Sequence, residues 1–214
     1  MPNWVVISSL ATAGGTLVLA GATFASVRSA NRSTRLAEQS LLAAMRPLLM
    51  PSRPEDPPVK VGFADNHWVH VAGSGGTAEY TESAIYMTMS LRNAGNGIAV
   101  LHGWRVEPAT EISVLAHSDC PDISSFRRLT RDLYIAADDV SFWQGAYRDP
   151  QDPEFGEVGS KIQSRERIFV DLLYGDHQGG QRVVSRFSLQ PRESSSDWYV
   201  TVSRHWNVDL PDPR

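Results

Sequence analysis

The spacing of apolar side chains changes character once along this chain. From Trp4 to Val27 apolar and small residues follow one another without a charge, and Arg28, Arg32 and Arg35 then arrive within eight residues. A helix rises about 1.5 Å per residue, so the run covers roughly 36 Å, enough for a hydrocarbon layer of about 30 Å. Inside lipid every amide must bond within its own segment, which a continuous helix achieves. Ser8, Ser9, Thr12, Thr16 and Thr23 are admissible there, because a hydroxyl can bond the carbonyl one turn back. Trp4 sits at one end, where an indole prefers the interface. The pattern predicts a transmembrane helix over 1–27. A secretory signal would want a basic start and a shorter apolar core; "MPN" supplies no basic side chain, although "AGATFAS" offers small residues to a peptidase.

Helix-forming residues continue after the arginines, and Leu41, Leu42, Met45, Leu48 and Leu49 make an apolar stripe at helical spacing. Pro47 disfavours continuation, and Pro51, Pro54, Pro57 and Pro58 exclude it. Residues 28–58 therefore read as a helical stem to about residue 46 followed by a stiff proline-rich linker. The stripe is expected to dock on the protein's own domain rather than on a partner helix or a membrane surface. Ala11, Gly15, Ala22 and Ala25 mark a small-residue face through which two spans could pair as a homodimer.

From Val59 the period becomes two. Ile85, Met87, Met89 and Leu91 alternate with Tyr86, Thr88 and Ser90. Val100, His102, Trp104 and Val106 do the same, as do Ile168 to Tyr174, Val183 to Leu189 and Trp198 to Val202. One apolar face at that period means half-buried antiparallel strands. Turn signals separate them at 65–66, 73–76, 93–97 and 175–180, and shorter strands are expected near 131–135 and 140–147. Stretches 108–130 and 148–165 look irregular, the second as a solvated acidic loop holding Asp149, Asp152, Glu154 and Glu157. The expected class is mainly β: the helix and stem, an immunoglobulin-like antiparallel β-sandwich over 59–208, and a tail at 209–214.

Charge sharpens this picture. Residues 1–50 hold four arginines and one acid, while 51–214 carry a net charge of −7. An acidic domain argues against nucleic acid as a partner, since phosphate neutralisation needs clustered cations. With Arg28, Arg32 and Arg35 behind the span, no Lys or Arg before it and only a short segment to translocate, the positive-inside bias places the C-terminal domain in the cytoplasm; an extracytoplasmic domain is the alternative. The single cysteine, Cys120, allows no internal disulfide, so nothing requires an oxidising compartment.

Candidate chemistry is sparse. Phosphate-loop, zincin, nucleophile-elbow and dinucleotide fingerprints are absent, and "AGSGGT" at 72–77 reads as a hairpin tip. His67 and His70 in a strand point to opposite faces. His117, Asp119 and Cys120 are too few for zinc, and the acids of 149–157 lack calcium-loop spacing. No metal or cofactor is expected. The most suggestive polar group lies in "DLLYGDHQGGQR": Asp171, Asp176, His177 and Arg182, either a recognition loop or, for Asp176 and His177, a base with its orienter in a hydrolase. Asp in a glycine turn more commonly bonds its own backbone. Five tryptophans in the domain suit a core, whereas a surface cluster would point to a glycan or peptide.

"SLLAAMRPLL", "LRNAGNGIAVLHGWRV" and "FVDLLYGDHQGGQR" together resemble a group of bacterial, actinobacterial proteins with one N-terminal span, a short helical stem and a β-sandwich. The resemblance implies that architecture and attaches no activity or site residue. The combined expectation is a non-enzymatic interaction module in the cell inner membrane that meets the lipid bilayer and a protein partner, with an envelope-facing sensor or glycan-binding domain and an Asp/His hydrolase as alternatives.

Overall fold

The computed structural model describes residues 3–108, 119–193 and 195–211, with Val5, Val6 and Pro108 as backbone alone. It divides into two units, Met1–Ala44 and Met45–Arg214.

The first unit is a single helix, α1 (Trp4–Ala44), of 41 residues. Its described side chains are exposed along nearly its whole length, and it is long and apolar enough to cross a membrane. The hydroxyls behave as polar groups in an apolar helix must: Thr12, Thr16 and Thr23 each donate to the carbonyl four residues back, at 2.8–2.9 Å. The helix stops two residues before the expected point. Pro47 bars the helical region to the residue before it.

The second unit is an antiparallel β domain. Its strands are β1 (Leu49–Pro51), β2 (Val59–Gly62), β3 (Trp68–Val71), β4 (Gly75–Tyr80), β5 (Ile85–Asn93), β6 (Ala99–Pro108), β7 (Arg127–Arg128), β8 (Tyr134–Ile135), β9 (Val140–Tyr147), β10 (Ile168–Gly175), β11 (Val183–Pro191) and β12 (Trp198–Asn207). One helix, α2 (Phe155–Gln163), is inserted between β9 and β10. The chain is thus mainly β behind an N-terminal helix, as the change of period predicts.

Ten strands form one sheet in the order β1-β5-β4-β12-β11-β10-β6-β7, with β9 on β5 and β8 on β6. Met87 of β5 pairs with Ala78 on one side and Gly145 on the other, so β9 is one end of the sheet. Segments β7 and β8 share the free edge of β6 and make the other end. The sheet curls until these ends face each other: the Trp104 ring of β6 lies edge-on to Trp143 and Tyr147 of β9, at 5.5 and 5.4 Å. One core fills the enclosed space, built from Met87, Met89, Leu91, Leu101, Trp143, Leu172, Phe187 and their neighbours. Two smaller clusters cover the outside. The β2–β3 hairpin lays Val61, Phe63, Val69 and Val71 over Tyr86 and Phe142, and Ile123 and Phe126 close over Leu173, Val184 and Trp206.

Several details depart from the sequence expectation. Strand β1 falls inside the expected linker: Leu49 is buried and pairs with Asn93, and Pro51 sits at the strand's end, where a missing N–H is tolerated. Residues 155–163, expected as acidic loop, are helical because Phe155, Val158, Gly159 and Ile162 make a buried helical stripe. Gly159 is required there, since a Cβ would stand 2.6 Å from the Tyr80 ring. The expected alternation through Val100, His102, Trp104 and Val106 is broken by a bulge. Leu173 pairs with Gly103 and Tyr174 with Leu101, so Leu101 and Trp104 both face the core and His102 is skipped. A second bulge skips Ser203 opposite Arg186 and Phe187, and leaves Val202 40% exposed. The "AGSGGT" stretch is no hairpin tip: it carries the chain from β3, which pairs with β2, into the main sheet at β4. Cys120 is exposed, while His117, its expected neighbour, lies outside the described residues.

Candidate functional site

The four polar residues grouped by sequence do not form one site. Asp171 is central in β10, whose every residue is buried because both faces of the sheet are covered there. Its neighbours across the strands are Arg105 on β6 and Arg186 on β11. Arg186 grips it with two bonds, Nε to Oδ1 at 2.7 Å and Nη2 to Oδ2 at 2.8 Å, and Arg105 Nε lies 3.3 Å away. Glu107 completes the cluster, bonded to both arginines. The Arg186 guanidinium also lies 5.5 Å from the Phe169 ring and 5.3 Å from that of Trp206. Burial pushes the Asp171 carboxyl above its ordinary value, while the hydrogen bonds and charges of Arg186 and Arg105 pull the other way. Held by a two-pronged guanidinium, it is a carboxylate at neutral pH. With Asp171 wholly buried, the cluster is a structural tie.

Asp176 is spent on its own turn. Its Oδ1 accepts from the N–H groups of Gln178 and Gly180, and its Oδ2 from the Gln181 amide. Burial pushes its carboxyl up, but these donors outweigh burial and hold it below the usual carboxylate range. A lowered folded value means that the stabilisation is present above about pH 4 and fades as pH falls through that folded value. Asp176→Asn is therefore expected to lose about 1 kcal/mol at pH 7. Urea titrations of the two proteins should converge in acid; a gap unchanged at low pH would contradict the assignment. His177 is exposed beside it, whereas the Asp176 side chain is buried in its own turn. Arg182 turns away to Asp209, in the expected tail, through Nη2 at 2.7 Å. His102 faces the Asp176 turn; burial and the Arg182 charge hold its imidazole below the usual range, so it stands neutral.

A serine–histidine contact does exist, between Ser185 Oγ and His205 Nδ1 at 3.1 Å. It carries no nucleophile to solvent, because Ser185 is fully buried and also bonded to Tyr174. Arg46 lies against the other His205 nitrogen and donates to Asn207. Of the five domain tryptophans, Trp104, Trp143, Trp198 and Trp206 are buried and Trp68 alone is exposed, so the tryptophans form no surface cluster. His67 stacks on Tyr86 at 4.2 Å and contacts Glu79. Among the described residues, no three His, Cys, Asp or Glu side chains are placed to share a metal.

An open feature of the domain lies at the seam where the sheet's ends meet. A cleft of about 250 Å³ is bounded by β7 and the residues after it on one side, β9 on the other, and Phe63 of the outer hairpin. Four arginines line it: Arg127, Arg128, Arg131 and Arg148. Arg127 is the fixed member. Its guanidinium lies 4.6 Å from the Tyr147 ring and 5.9 Å from Trp104, and it pairs with Asp152 at 2.8 Å and Glu154 at 3.1 Å. It caps the core where the sheet fails to close. Tyr147 donates to the same Glu154 at 2.7 Å, and burial together with that bond pushes its phenol far above the usual range. Of the four acids expected to be solvated in the 148–165 loop, Asp152 and Glu154 thus anchor this wall, while Asp149 and Glu157 are exposed. Gln144 bridges the seam to Asp132. Arg131 and Arg148 hold surface pairs with Asp132 and Asp65, at 3.1 and 3.2 Å, and their side chains are nearly half exposed. Arg128 is exposed and has no ion pair with a described residue. Surface pairs contribute only about 0–1 kcal/mol, so a multiply charged anion can compete for these guanidiniums. Besides the arginines, the polar side chains of the lining are Thr130 and Gln144. Sequence reading missed this site, although "RRLTR" at 127–131 is a basic run in an acidic domain and was the available signal. Comparison of the chain with protein-family models, with curated proteins and with solved structures finds no match.

Proposed function

We propose that this chain is a single-span inner-membrane protein whose β domain is a non-enzymatic binding module, meeting an acidic surface of a protein partner at the arginine cleft. The observation that carries the reading is the concentration of four arginines at the open seam of an otherwise acidic domain. Arg127 gives the cleft a rigid wall, and Arg128, Arg131 and Arg148 supply cations whose present partners are weakly held. Guanidiniums offer two-pronged recognition of carboxylates, which suits a short acidic segment entering the cleft. The finer likeness to an immunoglobulin sandwich is part of the same proposal. It rests on the antiparallel strands facing each other across one core.

A photo-crosslinking residue in place of Arg128 tests this in intact membranes. One discrete adduct is expected, weakened by Arg131→Glu and Arg148→Glu together and absent when the probe stands at Glu193 instead. Equal labelling from both probe sites, or none from the cleft, sinks the reading. The domain is proposed to face the cytoplasm, on the strength of Arg28, Arg32 and Arg35. A C-terminal fusion to a reporter that matures only in the cytoplasm should be active; activity of an export-dependent reporter instead reverses the orientation.

A further inference from the structure

We propose that Arg28, Arg32 and Arg35 form a binding site for the phosphate groups of anionic phospholipids; this rests on the reading of α1 as a membrane span. At 100° per residue the three positions fall within about 60° of arc, so they are one face of the helix and not a ring around it. All three are exposed, and none forms an ion pair with Glu38, the one acid in the unit, or with any other described residue. They line a shallow groove with Phe24 and Asn31, floored by the small side chains of Ala25 and Ser29.

The axial order fits a lipid. Phe24, 70% exposed, stands one turn before Arg28 on the same face, within the last turn of the apolar run. An acyl chain alongside Phe24 therefore leads to a headgroup at Arg28. From Arg28 to Arg35 the helix rises about 10 Å, more than the roughly 5–7 Å of one headgroup layer. Helical side chains lean toward the N-terminus, which here is toward the lipid, and an arginine stem can lie along the helix while its charge stays in the polar layer. Arg32 and Arg35 thus reach back to the phosphate level that Arg28 already occupies. Three guanidiniums on one face favour anionic over zwitterionic lipid, whose added amine would meet the same positive strip.

The test uses the full chain in phosphatidylcholine vesicles containing a minor share of phosphatidylglycerol. Spin-labelled lipids report which headgroup is held at the protein. Phosphatidylglycerol is expected to be preferred about five-fold or more, as one to three guanidiniums in contact would give. The preference should fall to near one in the Arg28→Gln/Arg32→Gln/Arg35→Gln protein and survive in the triple Lys protein. An unselective wild type, or a preference intact in the Gln protein, overturns the site. Loss of the preference on adding inorganic phosphate at constant ionic strength overturns the lipid assignment in favour of a soluble phosphate. Alkaline carbonate extraction separates the two levels of failure: release of wild-type protein from the vesicles defeats the span itself, whereas retention with no lipid preference defeats only this site.

Discussion

Replacing Arg186 by leucine is expected to destabilise the protein by about 3–5 kcal/mol, the largest effect of any single polar change in the domain. Asp171 is fully buried in the middle of β10, and Arg186 supplies two of the hydrogen bonds that keep its charge tolerable there. Removing that guanidinium strands a carboxylate out of reach of water, and Arg105 at 3.3 Å is already engaged with Glu107. Taking out both partners, Asp171→Leu with Arg186→Leu, should recover most of the loss, because Arg105 and Glu107 remain paired at 2.7 Å. Chemical unfolding of the full chain in detergent, followed by tryptophan emission, reads both values: Trp206 lies beside the cluster and reports on it directly. A single variant within 1 kcal/mol of wild type would mean that water reaches Asp171.

The second large effect is expected at Gly97. A Cβ there would stand 1.7 Å from the carbonyl oxygen of Met45, an overlap that only backbone movement can relieve. Gly95, two residues away, is equally constrained by the Arg46 carbonyl at 2.3 Å. The "NAGNG" turn therefore presses directly on the strip that leads into β1. Asn93 stitches the two together: its Oδ1 accepts from Leu48 and Gly95, and its Nδ2 donates to Gly97 and Ile135. Gly97→Ala should push residues 45–49 off the turn at a cost of about 1–3 kcal/mol. Thermolysin cleavage at Leu48–Leu49, located by mass spectrometry, should then rise about 10- to 100-fold, because cleavage follows the population of the opened segment. An unchanged rate would show that the strip is held by Leu49 in the core alone.

The strands centred on residues 87, 171, 187 and 200 were legible in the sequence because one face of each packs against a core, which enforces a period of two. What hid from that reasoning was local and steric. A bulge at His102 turns Trp104 and Leu101 to the same side, and no residue type announces it. Gly156 and Gly159 argue against a helix by propensity, yet Tyr80 demands a glycine at 159. Pro51 looks like a linker residue and is a strand end. Asp171 was read as polar and therefore accessible; its burial follows from Ile123, Phe126 and their partners covering the outer face of the sheet, a long-range fact. The arginine cleft is assembled from positions 63, 104, 127–131, 144–146 and 148, brought together only when the sheet curls round, so no window of sequence contains it.

The exposed thiol at Cys120 is the chain's one sulfhydryl. The unmutated protein therefore carries a built-in address label. A maleimide too polar to pass a bilayer will tag it in intact cells if the β domain faces outward, and only after lysis if it faces inward, with no engineered reporter to perturb the answer.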